Sequence, residues 1–87
     1  MTLTGRILVL VSTRSLDQVP AGAALVVHAV DGPPALVRRL AELGIRRSAV
    51  VTPMHRTAGG GRVVDVAGSR IALAVSVLRS IHTEPQG

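Results

Sequence analysis

Apolar positions in this chain change period several times, and each change marks a predicted element. Ala24 to Val30 (Ala-Leu-Val-Val-His-Ala-Val) is β-branched and apolar almost throughout, the pattern of a strand covered on both faces. Asp31-Gly32-Pro33-Pro34 ends it. Leu36, Val37, Leu40 and Leu43 then recur at helical spacing while Arg38, Arg39 and Glu42 fall off that stripe, which predicts one short α-helix over about 34–43. Pro34 suits the first helical position, where a missing N–H costs nothing and a fixed φ is already helical. Gly44 is the natural left-handed stop, and Ile45 is expected to fold back onto the core.

The second half reads as hairpins. Ala49 to Arg56 and Arg62 to Ala67 form two arms around a tip at Thr57-Ala58-Gly59-Gly60-Gly61. In the second arm Val64 and Val66 alternate with Val63 and Asp65, so one face is expected in the core and the other in water. Gly68-Ser69 predicts a further tight turn into a strand at Arg70 to Leu73, followed by a helical turn near Ala74 to Leu78 and a closing strand at Ser80 to Thr83. The fold class is therefore mainly β: five to six short strands, one short helix, and a small barrel, because closure removes exposed edges. Residues 15–83 are assigned to this domain, 1–14 to an N-terminal extension, and 84–87 to a tail expected to fray.

Composition narrows the chemistry. Hydrophobic residues make up 47% of the 87, yet Phe, Tyr and Trp are absent, so the core must be aliphatic. A chain this short buries only about 60 to 65% of its unfolded surface, and stability is expected to be modest. Without aromatic platforms, stacking on nucleic-acid bases is excluded as a binding mode. Cysteine is absent too, which removes disulfides, iron–sulfur clusters and thiolate chemistry. All ten basic residues are arginine against five acids, a formal charge of +5 that favours acidic partners. The Ile7 to Val11 run is far shorter than the roughly 20 residues of a membrane span and short for a signal-peptide core. The expected location is cytoplasmic, at the inner membrane face at most.

Candidate sites are few. His28, His55 and His82 are the only imidazoles, each a single histidine within a predicted strand. His55 and His82 meeting across the barrel is the one metal-site arrangement on offer, although no H-x-H, H-x₃-H or acid-rich loop supports it. The serines lack a nucleophile-elbow context and the acids are dispersed, so no catalytic residues are assigned and no enzyme is expected. The Gly59-Gly60-Gly61 tip lacks the Lys-Ser/Thr of a P-loop, and no cofactor is expected. Two basic groups remain as contact surfaces: Arg38, Arg39, Arg46 and Arg47 around the helix and its exit, and Arg56 and Arg62 beside His55 at the glycine tip. Such a surface is expected to bind more weakly as salt rises.

Leu16-Asp17-Gln18-Val19-Pro20-Ala21-Gly22, then Arg39-Leu40-Ala41-Glu42-Leu43-Gly44-Ile45, then Gly68-Ser69-Arg70-Ile71-Ala72-Leu73 and the closing Ile81 carry a family likeness. In order and spacing they resemble the ferrous-iron-transport A (FeoA) proteins, whose domain also ends the iron-dependent repressors. Family members usually have Pro-Gly where this chain has Arg47-Ser48, and often a basic residue where it has Ala74. The resemblance implies an SH3-like barrel and a non-enzymatic accessory role in ferrous iron uptake, through contact with the cytoplasmic domain of the inner-membrane permease. The contact residues expected are Arg38, Arg39, Arg46, Arg56 and Arg62 with the Gly59, Gly60 and Gly61 tip. The alternative is a regulatory interaction module like the repressors' final domain. No helix-turn-helix precedes it, so direct sequence-specific DNA reading is not expected. Pairing of Ile7 to Val11 between copies leaves a homo-oligomer open.

Overall fold

The computed structural model describes residues 13–86. Six antiparallel strands, β1 (Arg14–Ser15), β2 (Leu25–Val30), β3 (Val50–Arg56), β4 (Arg62–Val66), β5 (Ser69–Leu73) and β6 (Ile81–Pro85), lie in the order β1-β6-β2-β3-β4-β5. Two short helices, α1 (Pro34–Glu42) and α2 (Val75–Leu78), fill the β2–β3 and β5–β6 connections. The expectations resting on Ile7 to Val11 lie outside the described residues.

The sheet curls around one aliphatic cluster in which Leu16, Ile45, Val51, Val64, Leu78 and Ile81 are fully buried. In β4 the alternation read from sequence holds, with Val64 and Val66 inside and Val63 and Asp65 partly exposed. In β2 it does not. Leu25 and Val27 are buried but His28 is exposed, because the β2–β6 register shifts between Val27 and Ala29 and leaves His28 as the extra residue of a bulge. The strand is thus covered on one face, not two.

Helix α1 forms as its sequence signals require. Pro34 occupies the first turn without any side-chain cap, and the amides of Leu36 and Val37 donate to the Pro33 carbonyl. At the other end Gly44 takes φ +94°, its N–H donates to Ala41 O (3.0 Å), and that of Ile45 donates to Leu40 O (2.8 Å). This is a Schellman stop, and its apolar pair, Leu40 with Ile45, is buried. Leu43, expected on the buried stripe, is instead the C-cap and 44% exposed. Helix α1 ends one residue early, so Leu43 leaves the stripe as the chain turns away from the core.

Three other boundaries move. The tight turn is Ala67-Gly68, with Ser69 already in β5 opposite Val66, and both turn residues have positive φ (53° and 88°) as a two-residue hairpin demands. Strand β6 runs to Pro85, where Glu84 and Pro85 face Val26 and Leu25, so residues 84 and 85 are paired and not tail. Arg14, assigned to the extension, opposes Thr83 and anchors its buried hydroxyl, which donates to Arg14 O (2.9 Å). Ser48 stands where the family resemblance places a glycine and adopts φ +76°, the conformation glycine would take freely.

Strand pairing is open between β5 and β1, the two edges. Across that seam the join is made by a side chain: the Arg62 guanidinium on β4 reaches the Leu16–Gly22 loop between β1 and β2. The Gly22 amide adds a hydrogen bond to Pro53 O (2.8 Å).

Candidate functional site

The two basic groups expected from sequence turn out to be different in kind. Arg62 follows the inward phase of Val64 and Val66 and is 4% exposed. Its Nη1 donates to Leu16 O (2.9 Å) and Val19 O (2.6 Å), and its Nε to Met54 O (3.2 Å). Burial pushes its pKa down, with the Arg56 charge adding to that and Asp17 opposing it. Because a guanidinium stays charged under ordinary conditions, the backbone carbonyls stand in for the water it has lost. Arg62 is therefore a brace for the seam, enclosed where the sequence led one to expect an exposed side chain.

Arg56 stays about half exposed but is also committed to partners within the molecule. Its Nη1 donates to Asp17 Oδ1 (2.8 Å) and Gly60 O (3.1 Å), and its Nη2 to Asp17 O, tying the tip to the Leu16–Gly22 loop. Arg79 approaches the other oxygen of the same carboxylate (Nε to Oδ2, 3.4 Å). The Arg56 hydrogen bond is the main reason the Asp17 carboxyl titrates below its usual range, outweighing desolvation, with Arg79 adding to it. Gly59 and Gly60 take φ +86° and +91° in a turn closed by Thr57 N–H to Gly61 O (2.8 Å). Gly61 is buried, and a Cβ there would come within 2.6 Å of Leu73 O. The tip is thus packed against β5 at its base and exposed at Gly59 and Gly60.

The histidines do not converge. His82 Nε2 lies 2.7 Å from Asp31 Oδ2, and His28 Nδ1 lies 2.7 Å from Glu84 Oε2. His55 is exposed near the tip end of β3. Strands β2 and β3 pair at Leu25↔Val51, from which β3 carries His55 one way while β2 leads the other way to Ala29, the partner of His82. The register therefore separates the His55–His82 pair considered from sequence. Among the described residues no three His, Cys, Asp or Glu side chains gather in a way that could hold a metal ion.

Around the helix exit the arginines are free. Arg38, Arg39, Arg46 and Arg47 are all exposed, and among the described residues none has a carboxylate within 4.0 Å. Beside them an open groove of about 680 Å³ runs between the end of α1 and the β3–β4–β5 face. Leu43 and Val50, 44% and 42% exposed, both line it, with Arg46 and Glu42 from the α1 side and Asp65 and Ala67 from the opposite wall. Asp65 is occupied, its Oδ1 accepting from Gly68 N–H (3.1 Å) and its Oδ2 facing Arg70 (3.9 Å). Sequence reasoning located Arg46 but missed the apolar floor. Helical spacing puts Leu43 on the core stripe, and nothing in an apolar Ala49-Val50-Val51 run distinguishes the exposed valine from its buried neighbour. Among the described residues no helix is long and apolar enough to cross a membrane.

The sequence profile of the FeoA domain matches residues 14–85. No curated protein matches the chain by sequence. Among solved structures, the zinc-complexed FeoA of Stenotrophomonas maltophilia is 28% identical with a TM-score of 0.68, covering 80% of this chain and 88% of that one. That protein is described as a prokaryotic SH3 domain protein and a candidate activating factor of ferrous iron transport. The FeoA protein of Chlorobium tepidum is 24% identical at a TM-score of 0.77, over 85% of this chain and 71% of that one. A manganese-dependent transcriptional repressor shares the fold at 19% identity and a TM-score of 0.78, over 94% of this chain but 46% of the repressor. The match along nearly the whole described length, on a curled six-stranded sheet of the same SH3-like build, shows that the chain belongs to the FeoA family, non-enzymatic domains associated with ferrous iron uptake.

Proposed function

We propose that this chain is a cytoplasmic accessory protein of ferrous iron uptake that acts by binding the cytoplasmic domain of the inner-membrane ferrous iron permease. The observation that carries this reading is the set of exposed arginines without carboxylate partners at the exit of α1, Arg38, Arg39, Arg46 and Arg47, in a chain of the FeoA family. Unpaired surface charge contributes little to folding, whereas it speeds and orients association with an acidic surface. The exposed Gly59 and Gly60 tip is a second contact in this reading. Retention of the purified protein on the immobilised permease domain tests it: binding at low salt that weakens at high salt and is lost in Arg39→Glu is the expected result. No retention at low salt overturns it.

A regulatory module is the second reading, favoured by the close superposition on a manganese-dependent repressor. A neighbouring permease gene supports the transport reading, and a neighbouring gene for a separate DNA-binding domain supports the regulatory one.

A further inference from the structure

We propose that the groove between the end of α1 and the β3–β4–β5 face is the seat of one aliphatic side chain from an acidic segment of the partner. The proposal rests on the docking role given above to the helix-exit arginines and adds to it a defined pocket and a class of ligand.

Leu43 and Val50 are the two large hydrophobic residues left exposed among the described residues, and both face this one groove. A solitary exposed leucine is unremarkable on a protein surface, but a leucine and a valine lining one open concavity offer an apolar floor on which an aliphatic side chain can settle. The groove itself is lined by Arg46, Glu42 and Asp65, and the exposed residues beside it add mostly positive charge. Arg46 lines the groove and Arg47 follows it, while Arg38 and Arg39 lie one helical turn before Glu42 and Leu43 on α1. On the opposite wall Asp65 is already engaged by Gly68 and Arg70, which leaves Glu42 as the uncommitted acid against four arginines. An occupant with acidic residues flanking an aliphatic one satisfies both features, and a basic segment satisfies neither.

Backbone conformation supplies an independent observation. Of the described non-glycine residues with positive φ, Ala67 (φ +53°) lines the groove and Ser48 (φ +76°) directly precedes Ala49, which lines it. Strained φ persists where surrounding structure enforces it and collects at binding sites. The Ala67-Gly68 turn is of the type that asparagine or aspartate ordinarily opens. Alanine in that place adds neither bulk nor a further carboxylate beside Asp65, so the groove stays open there.

The test uses two probes. The first is a blocked peptide, Glu-Asp-Leu-Asp-Glu, titrated into the isotope-labelled full chain and followed by amide chemical shifts. Shifts clustered on Leu43, Arg46, Val50 and Ala67, absent with a Glu-Asp-Ser-Asp-Glu peptide, are expected. Leu43→Gln should weaken binding about fivefold to tenfold, as loss of one partly buried aliphatic contact implies. Val50→Thr, nearly the same in shape, should weaken it about threefold, which covers the case in which Leu43→Gln disturbs α1. Equal shifts with the serine peptide, shifts centred elsewhere, or no shifts at low millimolar peptide overturn the groove assignment. The second probe is the permease domain itself. If wild-type protein binds it and the two groove variants bind equally well, the groove proposal fails while the docking role stands; if wild-type fails to bind it, the docking role fails and the peptide titration decides the groove.

Discussion

Arg56 and Arg62 beside the glycine tip, and Arg38, Arg39, Arg46 and Arg47 around the helix exit, look alike as letters in a sequence. In the fold they do opposite things. The tip pair is engaged within the molecule: buried Arg62 donates to three backbone carbonyls, half-exposed Arg56 to Asp17 and Gly60, and together they hold the Leu16–Gly22 loop across a seam that strand pairing leaves open. The helix-exit group is turned outward, with no carboxylate partner among the described residues. An arginine whose guanidinium is held by several acceptors of its own chain is part of the framework, while one without such acceptors is available to a partner. The difference lies in what surrounds each guanidinium and not in its charge.

The sharpest way to break this comparison is to remove one arginine from each group. Arg62→Ala leaves three carbonyls without their donor in a buried seam and should cost about 2–4 kcal/mol. In a domain of this size that lowers Tm by roughly 10 °C or more, readable by thermal unfolding in circular dichroism. Arg46→Ala should change stability by no more than about 0.5 kcal/mol. Equal effects of the two substitutions would erase the distinction.

A smaller effect separates the glycines of the tip. Gly61→Ala forces a Cβ to within 2.6 Å of Leu73 O and 2.9 Å of Thr57 Oγ1 and should cost about 1–3 kcal/mol through displaced backbone. Gly59→Ala meets nothing within 4 Å and should lose only about 1 kcal/mol, the strain of positive φ. Urea unfolding of the two variants should rank them in that order, and a reversed order would mean the tip is not packed on β5.

The smallest effect is on pH dependence. Asp17 has a lowered pKa in the folded protein, first through its hydrogen bond from Arg56 and further through Arg79, so the unfolded chain binds more protons on the acid side. Its stabilising contribution is fully present above the unfolded value of roughly 4 and is lost as pH falls through the lower folded value. Asp17→Asn should therefore flatten the fall in Tm between about pH 5 and pH 2 without altering the profile near neutrality. An unchanged acid limb would show that the Arg56–Asp17 contact does not persist in solution.

Much of this was readable beforehand. Pro34, the apolar stripe and Gly44 located α1, and the glycine tip and the Val64–Val66 alternation located the hairpin. Even Arg62 carried a usable signal: it stands two residues before Val64, in phase with the buried face of β4, where period-two alternation points any residue inward. Nearness to the tip places it beside Arg56 and His55 in sequence, but the phase of β4 decides where its side chain goes. The role of Asp17 had no such signal, because its partners Arg56 and Arg79 lie 39 and 62 residues away and meet it only when the sheet curls.

The groove was still less accessible. Its floor needs Leu43 from the end of one helix and Val50 from the start of the next strand, and its far wall comes from the β4–β5 turn. What local sequence determined here is whatever depends on neighbours a few residues apart: the helix stop, the turn at the tip and the inward face of β4; the family was legible from the order of such pieces along the chain. What only the tertiary structure decided is which charged side chains are enclosed and which apolar ones are left out. Burial is set by chain segments that are distant in sequence, and a residue's own neighbours do not specify which segment will cover it.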